Sequence, residues 1–145
     1  MEFSYANFPA DPDTAFPDRK ALRRPVIGIM LKHGSKSIVT KAIIDSGADF
    51  CIFPSSIAAA LGISIPTPQA SSFSGTANEP QTAYFAVVQA TIWNANSEEV
   101  PITFDLYAGF CETLEHVGLG LLGQEGFFSR FPITFDFASS RLSIG

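Results

Sequence analysis

Short apolar runs separated by glycine, proline and polar turns make up most of this chain, a pattern of many short strands rather than long helices. The run Val26-Ile27-Gly28-Ile29-Met30-Leu31 predicts a buried strand. His33-Gly34-Ser35-Lys36 predicts a turn, and residues 37–45 a second strand that completes a hairpin. Phe50-Cys51-Ile52-Phe53 predicts a short apolar strand. Pro54-Ser55-Ser56 then opens a short helix through Leu61, with proline suited to a helix start and Gly62 to a left-handed C-terminal cap. Residues 71–93 read as a long hairpin with the polar tip Gly75-Thr76-Ala77-Asn78-Glu79-Pro80 and a strongly apolar return strand. Further strands are expected at 100–106, 133–137 and 141–144, the last two around an Ala138-Ser139-Ser140 turn; residues 118–122 are apolar and glycine-rich, and residues 124–130 suit a helical turn. The expected fold is mostly β with one or two short helices. Residues 25–145 form one domain, and residues 1–24, with Pro9, Pro12 and Pro17, read as an irregular arm ahead of it.

Composition narrows the function classes. A chain of 145 residues suits one domain, and 46% hydrophobic against 16% charged residues is enough to build a core. Fourteen Phe against one Trp and three Tyr point to aromatic packing within it. The net charge of -5 argues against a nucleic-acid or anionic-membrane surface, which wants clustered Lys and Arg. The one basic cluster, Arg19-Lys20-Ala21-Leu22-Arg23-Arg24, reads as a solvated part of the arm. No stretch approaches the roughly 18 apolar residues of a membrane span, and the acidic first residues lack the apolar run of a signal peptide, so a soluble cytoplasmic protein is expected. Cys51 and Cys111 are too few for a disulfide framework; one bridge between them is a possible reading, and two free, buried thiols the favoured one.

The chemistry concentrates at one turn. The apolar run Ala42-Ile43-Ile44 delivers Asp45 to the end of a strand, and Ser46 and Gly47 then fold the backbone sharply. Hydrolysing an amide by direct water attack needs a base for the water and an acid for the carbonyl oxygen and the leaving nitrogen. Two carboxylates held about 3 Å apart share one proton and do both. The chain has one such turn, so the chemistry calls for two copies related by a two-fold axis. An isolated Asp-Ser/Thr-Gly arises by chance in about one chain in fifteen of this length at average composition, so its setting decides its meaning.

That setting resembles the retropepsin-like aspartic proteases. Ile43-Ile44-Asp45-Ser46-Gly47-Ala48-Asp49 is similar to the family's signature; Phe50 to Phe53 and the short helix come next in order. The Gly75 hairpin stands where the family has its flap, and Leu121-Leu122-Gly123 resembles its second apolar-apolar-Gly element, succeeded there by a C-terminal helix. The resemblance covers roughly residues 25–145. It implies a small, closed, barrel-like acid-protease domain with a flap hairpin, active as a C2 homodimer on an extended peptide or protein, without metal or other cofactor. By the same resemblance Asp45, Ser46 and Gly47 are catalytic. Substrate contacts would come from Ala48, Asp49, Ile52 and Leu122 near the turn and from Ser74, Gly75, Thr76 and Ala77 in the flap, and residues 141–144 could join a dimer sheet. The sequence departs from the family at Gln124, where an arginine often pairs with the Asp that ends the first motif; Arg130 or Arg141 could stand in as the partner of Asp49. A second reading keeps the fold as a catalytically silent dimerisation or peptide-binding module.

Other signals are weaker. Gly118-Leu119-Gly120-Leu121-Leu122-Gly123 matches a dinucleotide fingerprint in letters but lacks a βαβ setting. His33 and His116 are isolated, with no Cys/His spacing suited to zinc. Pro101-Ile102-Thr103-Phe104-Asp105 recurs as Pro132-Ile133-Thr134-Phe135-Asp136, which reads as two similar strands, since neither copy continues into a glycine turn.

Overall fold

The computed structural model of the chain describes residues 1–74 and 79–145. Its elements in order are β1 (Glu2–Ser4), β2 (Ala6–Pro9), β3 (Ala21–Arg24), β4 (Val26–His33), β5 (Lys36–Ile44), β6 (Cys51–Pro54), α1 (Ser55–Ala60), β7 (Ala70–Ser74), β8 (Pro80–Ile92) and β9 (Ile102–Cys111). A single turn of 3-10 helix (Glu112–His116) comes next, then β10 (Gly120–Leu122), β11 (Ile133–Asp136) and β12 (Arg141–Ile144). Six strands close a barrel in the order β4-β5-β10-β6-β9-β8, with β8 pairing back to β4, and β7 extends the sheet beyond β8. The protein is therefore mostly β with a closed six-strand barrel.

Alternation along the strands sorts the side chains. Ile27, Ile29 and Leu31 of β4 point inward with Ala42 and Ile44 of β5, and Val88, Ala90 and Ile92 of β8 join them in the main core. The opposite face of β8 supplies Ala83 and Phe85 to a second, smaller cluster with Ile52 and Cys111, against which Phe50 and Phe73 pack. This outer cluster sits on the barrel wall under the β7–β8 hairpin and borders the candidate site. The two Pro-Ile-Thr-Phe-Asp copies begin β9 in the barrel and form β11 in a separate sheet.

Two expectations need correction. Residues 1–24 are not irregular: β1 pairs antiparallel with β12, and β2 pairs with β3. Phe3 and Tyr5 of this segment pack against the main core, while Pro12 and Pro17 lie in the loop between β2 and β3. Residues 124–130 wind through turns rather than a helix, because Gly126 takes φ +101° and the bonds Phe128 N–H to Gly123 O and Ser129 N–H to Gln124 O skip the helical spacing. Within a single copy β12 is paired on both edges, with β1 on one side and β11 on the other.

The short helix α1 is held from outside. Pro54 at its start makes no side-chain cap, and Gly62, with φ +70°, lies just past its end. Glu115 of the 3-10 turn takes over the N-terminal capping: Ser56 N–H donates to its Oε1 at 2.6 Å, the Ser55 hydroxyl at 2.9 Å, and the Ser56 hydroxyl donates to Oε2 at 3.0 Å. These bonds, with the Ser56 amide foremost, lower the Glu115 pKa from its ordinary 4.5. A carboxylate with a depressed folded pKa stabilises the fold above its unfolded pKa and loses that contribution as pH falls through the folded one. Glu115→Gln is accordingly expected to lower the melting temperature at neutral pH and to leave it unchanged in acid, where the wild-type carboxyl is protonated; melts followed by circular dichroism at both pH values check this.

Candidate active site

Strand β5 ends at Ile44, whose amide donates to Pro25 O at 2.9 Å, and the chain leaves the barrel at Asp45. β10 runs parallel to β5, with Leu122 opposite Ile44, so both strands end on the same side. The Asp45 amide donates to Leu122 O at 3.1 Å. The turn then closes on itself: Ala48 N–H reaches Asp45 O at 3.2 Å, and Gly47 N–H donates to Asp45 Oδ1 at 2.9 Å. That second bond fixes the rotamer of the half-buried Asp45 carboxylate.

The segment after β10 clamps the same turn. Gln124 N–H donates to Ala48 O at 2.8 Å and Glu125 N–H to Asp49 O at 2.9 Å. The Gln124 side-chain amide donates to Ser46 O at 2.7 Å. Between them Gly123 has no room for a side chain, since a Cβ there would meet Ala48 O at 2.5 Å and the Phe50 carbonyl closer still. Gly120 is pressed on the Phe53 ring in the same way, so close packing accounts for these two glycines of the fingerprint-like stretch.

A groove of about 440 Å³ opens over the turn. Asp45, Gly47, Ala48 and Asp49 line its end at the turn, and Phe50, Ile52, Phe73, Ser74 and Leu121 form its apolar floor and the side under the hairpin. Asp45, Gly47, Ala48, Asp49, Ile52 and Ser74 are thus brought together around one groove, with Ser46 exposed on the turn beside them. Gly75, Thr76 and Ala77 lie outside the described residues. Leu122 is a correction: it is fully buried in the main core, because alternation along β10 turns Leu122 inward and Leu121 toward the groove. Sequence reasoning also missed Phe50 and Phe73. It treated Gln124 as the loss of an ion partner, whereas Gln124 braces the turn directly.

Neither arginine replaces the expected partner of Asp49. Arg130 donates to Asp105 O at 3.2 Å and lies over the Phe104 ring, and Arg141 lies 3.8 Å from Glu2. Among the described residues the groove lining holds two carboxylates and no cation. Cys51 lies behind the turn, 3.4 Å from Glu125 O, and burial pushes its thiol up to about 11, so it stays protonated at neutral pH and serves as a packing residue. Both cysteines are free and buried. Among the described residues no group of His, Cys, Asp and Glu is placed to hold a metal ion, and no helix is long and apolar enough to cross a membrane. A scan of the sequence against models of known protein families finds no match, and neither does a search of curated proteins.

The clamp leads to two expectations. Gly123→Ala should cost about 1–3 kcal/mol, because the added methyl meets rigid backbone. Gln124→Ala should cost about 1 kcal/mol through the lost bond to Ser46 O. Urea denaturation of each variant beside the wild type measures both.

Proposed function

We propose that this chain is an aspartic endopeptidase of retropepsin type, in which two Asp45 carboxylates, one from each subunit of a homodimer, act on one water. The observation that carries the reading is the Asp45 turn itself. A carboxylate at the end of a barrel strand is oriented by the Gly47 amide and clamped by residues 122–125, over an apolar groove beneath a hairpin. Its second oxygen, Oδ2, would meet the reactant.

The pair sets the chemistry. The ionised carboxylate takes a proton from the water as the water oxygen bonds to the scissile carbonyl carbon, and the protonated partner gives its proton to the carbonyl oxygen. A tetrahedral intermediate results. It collapses when the carboxyl passes its proton to the amide nitrogen, the other carboxylate takes a proton from one hydroxyl of the intermediate and the C–N bond breaks, leaving an acid, an amine and a pair that again shares one proton. Ser46, exposed at the turn, is available to bond across the pair, and Gly47 keeps the approach open. An extended peptide would lie between the groove floor and the β7–β8 hairpin, pairing by backbone hydrogen bonds as an added strand does. Phe50, Ile52, Phe73 and Leu121 would receive an apolar side chain.

A second reading, a catalytically silent peptide-binding or dimerisation module on the same fold, is favoured by one observation: β12 is paired on both edges within a single copy. Incubation with an unstructured protein across about pH 3 to 7, where a shared-proton carboxylate pair titrates, separates the two. The endopeptidase reading expects cleavage that Asp45→Asn lowers by about 10²–10⁴-fold or more and that rises faster than linearly with protein concentration. Cleavage that survives in Asp45→Asn sinks it.

A further inference from the structure

The hairpin of β2 and β3 opens into a fork. Ala6 lies opposite Arg24, and the Ala10 amide donates to Lys20 O, so Phe8–Leu22 and Ala6–Arg24 are the hydrogen-bonded pairs of that ladder. Continued in register, the ladder would next pair Ser4 with Val26 and Glu2 with Gly28. Instead the two strands part, β1 to β12 and β4 to β5.

The backbone groups inside the fork still face one another. Bonds between Met1 and Ile144 and from Tyr5 N–H to Ser140 O show that the odd residues of this segment turn their amides to β12, which leaves those of Glu2 and Ser4 turned toward the fork. The bond from Ile44 N–H to Pro25 O shows that the odd residues of β4 face β5, which turns those of Val26 and Gly28 toward the fork as well. Pairing of β8 with β4 ends at Ile29–Ile92, so it does not reach Gly28. A cavity of about 500 Å³ separates the two walls, with Trp93 to Asn96 at its open end. The Asn94 side-chain amide donates to Glu2 O at 2.6 Å, taking the place of one strand bond.

We infer that β1 is a strap with two in-register homes, β12 and β4, and that its transfer to β4 uncovers the β12 edge for a second copy of this chain. Closing the fork exchanges the bonds at Met1, Phe3 and Tyr5 for bonds at Glu2 and Ser4 and releases Asn94. The uncovered edge presents the backbone groups of Leu142 and Ile144. A strand of that kind pairs antiparallel with its own copy about a two-fold axis. This rests on the reading that two Asp45 turns must meet: with β1 on β12 the chain is closed as a single copy, and with β1 on β4 it is open to a partner.

Two disulfide locks test the strap. Ser4→Cys with Arg141→Cys joins residues now opposite one another and holds β1 on β12. Ser4→Cys with Val26→Cys joins residues that become opposite only when the fork closes. Both pairs are expected to crosslink within one chain on mild oxidation, as read by mass under non-reducing conditions. In light scattering the first lock should stay monomeric and the second should dimerise at the same concentration, with reduction making them alike. A folded Ser4→Cys/Val26→Cys protein that never crosslinks within the chain overturns the inference, and so do two locks of equal mass in solution. Asn94→Ala, a loop change that frees Glu2 O, gives an independent reading: the dimer fraction should rise, and an unchanged fraction counts against the strap. None of these readouts uses cleavage, so a locked dimer without peptidase activity would sink the endopeptidase reading and leave the strap standing.

Discussion

The bond from the Asp45 amide to Leu122 O ties the barrel to the site, and the arrangement of the turn depends on it. β5 and β10 are parallel neighbours, so their C-terminal ends emerge together, the place where sheets of parallel strands leave room for chemistry. The residues just past Leu122 can therefore grip those just past Ile44. The gripping groups are mostly backbone: Gln124 and Glu125 amides on Ala48 and Asp49 carbonyls. Such contacts need two backbone segments closer than a side chain allows, which is why position 123 is a glycine. The carboxylate gains its fixed direction from the same closeness, because a tight turn puts the Gly47 amide within 2.9 Å of it.

The two clusters divide the labour of the barrel wall. The inner one holds the large fully buried side chains, among them Phe53, Phe110 and Phe127, and tolerates little change of volume. The outer one is smaller and half-open: Ile52, Ala83, Phe85 and Cys111 are buried, whereas Phe50 and Phe73 are only partly covered. Apolar surface left partly uncovered beside a polar turn is what a ligand groove requires. β8 makes this possible by carrying a core on each face, which also explains its length of 13 residues.

Much of this was legible in the sequence. Apolar runs bounded by turns point to the barrel strands other than β10, and the Asp45 turn stands out because an apolar run, an acid, a small hydroxyl and a glycine coincide in few places. The misses share a cause: they depend on partners distant in sequence. Phe3 and Tyr5 look like scattered aromatics until β12 is beside them, and a strand of three residues has too few positions to show a period. The inward turn of Leu122 is set by its register on Ile44, although alternation from Gly120 would have pointed to it. The brace from Gln124 to Ser46 spans 78 positions, and a family pattern that expects a charge there hides the amide's own use.

The basic run at 19–24 shows the same dependence on tertiary partners, and bears on how the chain meets its neighbours. Four cations in six residues suggest an anion-binding surface, but three of them lie over aromatic rings: Arg19 on Phe16, Arg23 on Phe137 and Arg24 on Phe8. Arg23 also donates to the Ser140 hydroxyl at the β11–β12 turn. A guanidinium laid over a half-exposed ring covers apolar area while keeping its charge in water. Of the three, Arg23 alone reaches the three-stranded sheet, at its β11–β12 turn. The arm thus shields the sheet in two ways, with β1 on the edge of β12 and with Arg23 over Phe137 at its turn. Any pairing at the β12 edge would compete with a covering that the chain supplies for itself.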